Sequence, residues 1–240
     1  MAPAWIVLIV IGGLASAVLI LWLVVRRLRE RKAANLALRD FAARHGFKLR
    51  WEQVRGHDTS NPVLRGELDG LPLVIDEYTR GGETSIHLTR WSVTSPGPWP
   101  GGLVAYTPGF HVARGGPHGT VQDNREPIHS YWARVNDHEI GDPELDELLA
   151  IDGTDLDKVR AILLAPGVKR AVLDAVQAFE HIRIQGGETT IELEGVVASV
   201  EQMEEVARHV TAVARALGAA CCDEPASPGA GIEPVARPES

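Results

Sequence analysis

The sequence predicts an α+β chain, in which an N-terminal transmembrane helix leads into an antiparallel sheet with helices packed on one face. Three observations predict it. Residues Ala4 to Val25 run 22 positions without a charge, and 14 of them are Ile, Leu or Val. From Phe47 to Val93 apolar and polar residues alternate with period two, broken at Asp69-Gly70 and Gly81-Gly82, as half-buried strands require. From Asp155 to Leu217 apolar stripes recur at helical spacing, interrupted by one more alternating pair around Gly186-Gly187. The expected boundaries are a transmembrane helix at 1–25, a basic helical stalk at 26–46, a cytoplasmic α+β domain at 47–218 and a disordered tail at 219–240.

The first element follows from length and flanks. As a helix, 22 residues reach ~33 Å against a hydrocarbon core of ~30 Å. A cleaved leader would need cations before the apolar run and a small-residue site after it. Met1-Ala2-Pro3 and Val24-Val25-Arg26-Arg27 provide neither. Arg26, Arg27, Arg29, Arg31 and Lys32, against one Glu30, form a cationic flank that the positive-inside rule places in the cytoplasm. The expectation is a single-pass protein of the bacterial inner membrane, N-terminus outside and C-terminal domain inside. Subtracting the flank from the net charge of −8 leaves −12 for the remainder. That body is repelled by anionic headgroups and lacks the basic face of a nucleic-acid binder. Gly12/Ser16 and Gly13/Ala17 have the small-xxx-small spacing that lets two spanning helices approach, so a homodimer through this helix is one expected partnership.

The stalk keeps helical character to about His45, with Gly46 as its C-cap. Phe47, Leu49 and Trp51 share one parity of the first strand. Leu64–Leu68 and Leu71–Tyr78 flank the two-residue turn Asp69-Gly70, and Pro72 inside the second arm suggests a sheet edge. A strand over 84–93 follows, then short strands near Leu103–Tyr106 and Tyr131–Val135. Thr154-Asp155-Leu156-Asp157 opens a helix that Pro166 ends and restarts. Two strands, 181–185 and 188–194, make a hairpin. Ser199-Val200-Glu201-Gln202 has capping-box spacing and opens the last helix, where Glu204 and Arg208 can pair. Five to seven strands are expected, with helices 155–179 and 200–217 on one face. The tail has too little apolar surface to offset its ordering entropy.

The run Gly141-Asp142-Pro143-Glu144-Leu145-Asp146, followed by Ile151-Asp152-Gly153 and Val159–Val168, resembles uncharacterised bacterial single-pass membrane-anchored proteins that share a TGDPxFD-like motif. The resemblance spans 141–217. Here Leu145 stands where that family has an aromatic and Ile140 where it has Thr. It implies a membrane-tethered domain of unknown function and carries over no catalytic residue. Read physically, Asp142 can cap a short helix with Pro143 at its first position.

The residues exclude several chemistries. Two adjacent cysteines, Cys221 and Cys222, cannot make a disulfide framework or a Cys-rich zinc site; at the start of the tail they would be exposed to oxidation. Arg114–Gly119 is glycine-rich but lacks the Gly-Lys-Ser/Thr of a phosphate loop, and no Gly-x-Ser-x-Gly elbow exists. His111, His118, His129 and His138, with neighbouring acids, supply enough ligands for a divalent ion but not a recognised spacing. They define the alternative reading, a membrane-tethered metal-dependent hydrolase. The favoured reading is a module without catalytic residues or cofactors that acts by contact with an unknown protein. Trp99, ringed by prolines, is its candidate anchor, while Trp51, Trp91 and Trp132 read as packing residues.

Overall fold

A computed structural model describes residues 4–53, 60–80, 86–96, 103–107 and 138–222. Helix α1 (Ala4–His45) leads into strands β1 (Lys48–Gln53), β2 (Ser60–Leu68), β3 (Leu71–Arg80), β4 (Ile86–Thr94) and β5 (Val104–Tyr106). Then come α2 (Pro143–Leu148), β6 (Ala150–Asp152), α3 (Leu156–Leu163), α4 (Pro166–Ala178), β7 (His181–Gln185), β8 (Glu188–Glu194) and α5 (Val200–Cys222). All the described strands join one antiparallel sheet of eight, ordered β1-β2-β3-β4-β8-β7-β5-β6. The α+β class is therefore as expected, with more strands than expected because β6 is a three-residue bridge too short to show a period.

The period-two pattern sorts the sheet into two faces. Leu73, Ile75, Trp91, Val93, Ile182, Ile184 and Ile191 share one parity and one core with Val159, Leu163, Val168, Val172, Met203, Val210 and Leu217 of the helices. The alternate parity carries Asp76, Arg90, Arg183 and Glu192. Both turns adopt the left-handed backbone that a two-residue hairpin needs, at Asp69-Gly70 (φ 55° and 79°) and Gly186-Gly187 (52° and 83°).

Pro72 does not mark an edge, since β3 lies between β2 and β4. It pairs with Glu67 one step from the turn, and the β4 ladder starts only at Leu73 opposite Val93. The missing N–H therefore falls beyond the end of that ladder.

The stalk divides in two. Its flank is exposed through Lys32, but Ala34, Ala37, Leu38, Phe41 and Ala42 are buried in the domain core. Gly46 (φ 69°) ends the helix, and the Phe47 N–H donates back to the Ala42 carbonyl at 2.8 Å. The Phe47 ring then covers Gly66, where any Cβ would collide with it. Glu204 pairs across to Arg44 (3.2 Å) and His45 (3.4 Å) rather than along its own helix to Arg208.

The other caps follow the sequence closely. Asp155 accepts from the Lys158 N–H at 3.2 Å, and Pro166 takes the first position of α4. Ser199 accepts from the Gln202 N–H at 3.3 Å and its hydroxyl donates to the Glu201 carboxylate at 2.7 Å, so its side-chain partner is Glu201 rather than Gln202. The last helix runs on to Cys222, and Cys221 is buried in it rather than exposed in a tail. The expected strand at Tyr131–Val135 and the tail beyond Cys222 lie outside the described residues.

Candidate functional site

Two regions carry groups that a simple core does not need. The first is the N-terminal part of α1. From Val18 to Val24 seven consecutive apolar residues are each about half or more exposed, as is Leu14. Seven residues cover nearly two turns, so apolar surface faces every direction and no side is left for water. Arg26 ends the stretch. Its guanidinium lies 5.5 Å from the centre of the Trp22 ring and bonds Glu30 at 2.8 Å. Arg27, Arg29, Arg31 and Lys32 complete an exposed collar. Among the described residues no helix is long and apolar enough to cross a membrane. Counted from Gly12, 14 residues precede Arg26, or ~21 Å of helix. The expected span also draws on residues 4–11, whose side chains lie outside the described residues.

The second region is a charged network on the sheet face that the described helices leave uncovered. Arg90 grips Asp76 with two bonds, Nε to Oδ1 at 2.9 Å and Nη2 to Oδ2 at 2.6 Å. The register sets this pair, since Asp76 and Arg90 are direct cross-strand partners. Glu192 lies opposite Arg90 on β8 and accepts from the Tyr78 hydroxyl at 2.5 Å. The Arg90 guanidinium also stacks 5.1 Å from the centre of the Tyr78 ring. Burial pushes the Glu192 carboxyl above its usual range, against the Tyr78 hydrogen bond and the charges of Arg90 and Arg183. Burial, with Glu192 beside it, raises Tyr78 so far that its hydroxyl stays a donor. Burial works against the Arg90 charge, but the Asp76 bonds outweigh it and hold the guanidinium charged. Each of these four groups is matched by another, so the network reads as a clamp across β3, β4 and β8 rather than as reactive machinery.

The sign of the Glu192 shift makes a prediction. A carboxyl whose folded-state value is raised favours the fold below its unfolded value, near 4.5, and that contribution is lost as pH rises through the folded value. A Glu192→Gln variant keeps an acceptor for Tyr78 without the charge. Its stability relative to the parent is expected to rise between about pH 4.5 and neutrality, read from urea midpoints at several pH values. A relative stability that falls over that range contradicts the burial argument.

The Gly141–Asp146 run proves to be a staple. Asp142 caps α2 through the Leu145 N–H at 3.2 Å and binds Lys169 of α4 at 2.6 Å. The Lys169 hydrogen bond holds the Asp142 carboxyl below its usual range. Asp146 reaches back to accept from the N–H groups of Ile140 (2.8 Å) and Gly141 (3.0 Å), with Gly141 at φ 79°. Asp146→Ala strands both donors and is expected to lower stability by about 1–2 kcal/mol. Asp146→Asn, which keeps one acceptor, should lose less in the same unfolding measurement.

The structure separates the remaining candidates. Trp99, His111, His118 and His129 lie outside the described residues. His138 has its Nε2 3.8 Å from Asp152, and its N–H donates to the Ile151 carbonyl. Among the described residues no three His, Cys, Asp or Glu side chains are grouped to hold a metal ion. Trp91 is fully buried, in keeping with a packing role, but Trp51 is half exposed on the edge strand β1. The sequence signal at Trp51 was its place on the core parity, which argued for packing. The charged network was missed because Glu192 lies far along the chain from Asp76, Tyr78 and Arg90 and joins them only through the β4–β8 pairing.

No family model matches the chain, and no curated protein matches it. Among solved structures it is similar to the crystal structure of the mycobacterial trehalose monomycolate transport factor A, TtfA, at 17% identity and a TM-score of 0.49. That likeness covers 78% of this chain and 95% of the other. At that level it carries no argument about this chain's activity.

Proposed function

We propose that this chain is a membrane-anchored module without catalytic activity, in which the N-terminal half of α1 sits in the bilayer and the sheet domain works at its cytoplasmic surface by protein contact. One observation carries the reading. A single continuous helix is apolar and exposed on all sides at Val18–Val24 and buried in the domain core at Ala34–Ala42. Exposed apolar surface of that extent calls for a non-aqueous environment. The uncharged run from Ala4 to Val25 supplies the required length. The five cations Arg26, Arg27, Arg29, Arg31 and Lys32 set the orientation, N-terminus outside. The resemblance of the 141–146 run to membrane-anchored proteins agrees with this reading. Gly12 and Gly13 face open space, which leaves the small-xxx-small face available to a second copy.

The test is alkaline carbonate extraction of membranes from cells making the full chain. The parent is expected to stay in the pellet. A Leu19→Arg, Ile20→Arg variant loses about 2.5–3.5 kcal/mol of insertion free energy per arginine and should pass into the soluble fraction. A parent chain that extracts freely overturns the anchor. Digestion of the domain by protease added outside intact cells overturns the orientation.

A further inference from the structure

We propose that the outward face of α1 between Leu28 and Arg39 is a docking surface for an acidic amphipathic helix of a partner protein. The inference deepens the protein-contact reading and rests on it. This part of α1 has two sides. Ala34, Ala37, Leu38, Phe41 and Ala42 are buried in the domain core. Leu28, Arg31, Lys32, Asn35, Leu36 and Arg39 line one groove along the other side. Leu28 is 62% exposed and Leu36 51% exposed, eight residues apart. Arg31, Lys32 and Arg39 are exposed as well, and among the described residues none of the three has an acidic partner. Arg26 and Arg44, on the same helix, do have one, in Glu30 and Glu204.

Two other occupants fit this groove less well. The first is lipid. The apolar stretch ends at Val25, and at ~1.5 Å per residue Leu36 lies ~15 Å and Arg39 ~20 Å beyond Arg26 along the helix. A headgroup layer is only ~5–8 Å deep, and a tilt of ~20° shortens those depths by less than a tenth. Lipid can therefore meet Leu28 and the collar, but not Leu36 and Arg39. The second is another copy of this chain. Packed in parallel on the same groove, it would set Arg31, Lys32 and Arg39 against the same three cations, and like charges facing each other oppose association.

An acidic amphipathic helix meets both demands of the groove. Its apolar side chains, repeating at helical spacing, cover Leu28 and Leu36, which stand ~12 Å apart along α1. Asp or Glu residues beside that stripe reach Arg31, Lys32 and Arg39, as charged flanks do between paired helices. The cations then serve selection, since they reject a basic or neutral helix with the same apolar spacing.

The test is photo-crosslinking of the full chain in living cells, with p-benzoyl-phenylalanine placed in turn at Leu36, Trp99 and Glu67. Glu67 is an exposed position on β2 and the control for random collision. The expected result is one discrete protein adduct at 36 and none at 67, with the crosslinked partner peptide, read by mass spectrometry, rich in Asp or Glu around apolar residues at helical spacing. Arg39→Glu should lower that adduct several-fold, and Arg39→Lys should keep it. Arg39 is exposed and lies past the collar, so its reversal spares the fold and the anchor. A phospholipid adduct at 36, an adduct to a second copy of this chain, or a protein adduct that Arg39→Glu leaves unchanged overturns the docking surface. So does the absence of any adduct at 36. A protein adduct at 99 then leaves the contact reading standing, and no protein adduct at either 36 or 99 overturns that reading as well.

Discussion

Phe41→Ala is expected to destabilise the domain by about 3–5 kcal/mol, a loss comparable to the whole stability of many small domains. Phe41 is fully buried, and its ring meets both His45 (4.5 Å between centroids) and Phe47 (5.4 Å). Removing it opens a cavity beneath the turn that sends the chain into β1. It also frees the Phe47 ring that covers Gly66. Leu36→Ala, at a half-exposed position of the same helix, should change stability by no more than about 0.5 kcal/mol. Urea unfolding of the detergent-solubilised chain, followed by circular dichroism, separates the two variants. Equal effects would mean that the last turns of α1 only tether the domain. The packing argues otherwise: a fragment starting at Lys48 lacks part of its own core and is expected to unfold without a cooperative transition, whereas one starting at Lys32 keeps it. The continuous α1 has no flexible linker between its exposed apolar stretch and its buried turns, so under the proposed anchoring the domain would be held at a set height and rotation relative to lipid.

How far this was legible in the sequence depended on the range of the interaction. Strands and helices were readable where one face is buried, because Leu73, Ile75, Trp91 and Val93 repeat with period two and Val200, Met203, Val206 and Val210 with helical spacing. Caps were readable because they are local: Asp142, Asp155 and Ser199 lie within three residues of the N–H groups they bind. The docking of α1 was not. Ala34, Ala37, Leu38, Phe41 and Ala42 do form a stripe, but it follows an apolar run and a charge cluster, and the stripe alone could not say whether it meets lipid, a second helix or the chain's own sheet. The clamp of Tyr78, Asp76, Arg90 and Glu192 was equally hidden. Charges at alternate strand positions look like a solvated face until the strand order puts β8 beside β4. The same limit applied to Pro72, whose penalty in a strand depends on where the neighbouring ladder stops.

Arg90→Leu should cost about 3 kcal/mol at neutral pH, toward the low end for a broken buried ion pair because both side chains keep some contact with water. The change removes the only member of the four-residue clamp that carries positive charge. It leaves the Asp76 carboxylate without its two donors and the buried Glu192 without its nearest cation on β4. Asp76→Asn alone keeps one acceptor but removes the carboxylate charge beside Arg90, whereas combining Asp76→Asn with Arg90→Leu removes both charges. A double-mutant cycle should therefore show the double variant losing less than the sum of the singles. The pH dependence provides an independent check. Without the Arg90 charge the buried Glu192 carboxyl gains more by taking up a proton, so the loss relative to the parent should shrink as pH falls through the carboxylate range and grow toward neutrality. A loss that stays constant with pH would assign the effect to the packing of the Arg90 stem over Tyr78 rather than to its charge. The clamp joins the β1–β4 meander to the half of the sheet that carries α2, α3 and α4. Its loss should therefore lower the cooperativity between the two halves, seen as faster amide exchange across the β4–β8 ladder than across β2–β3.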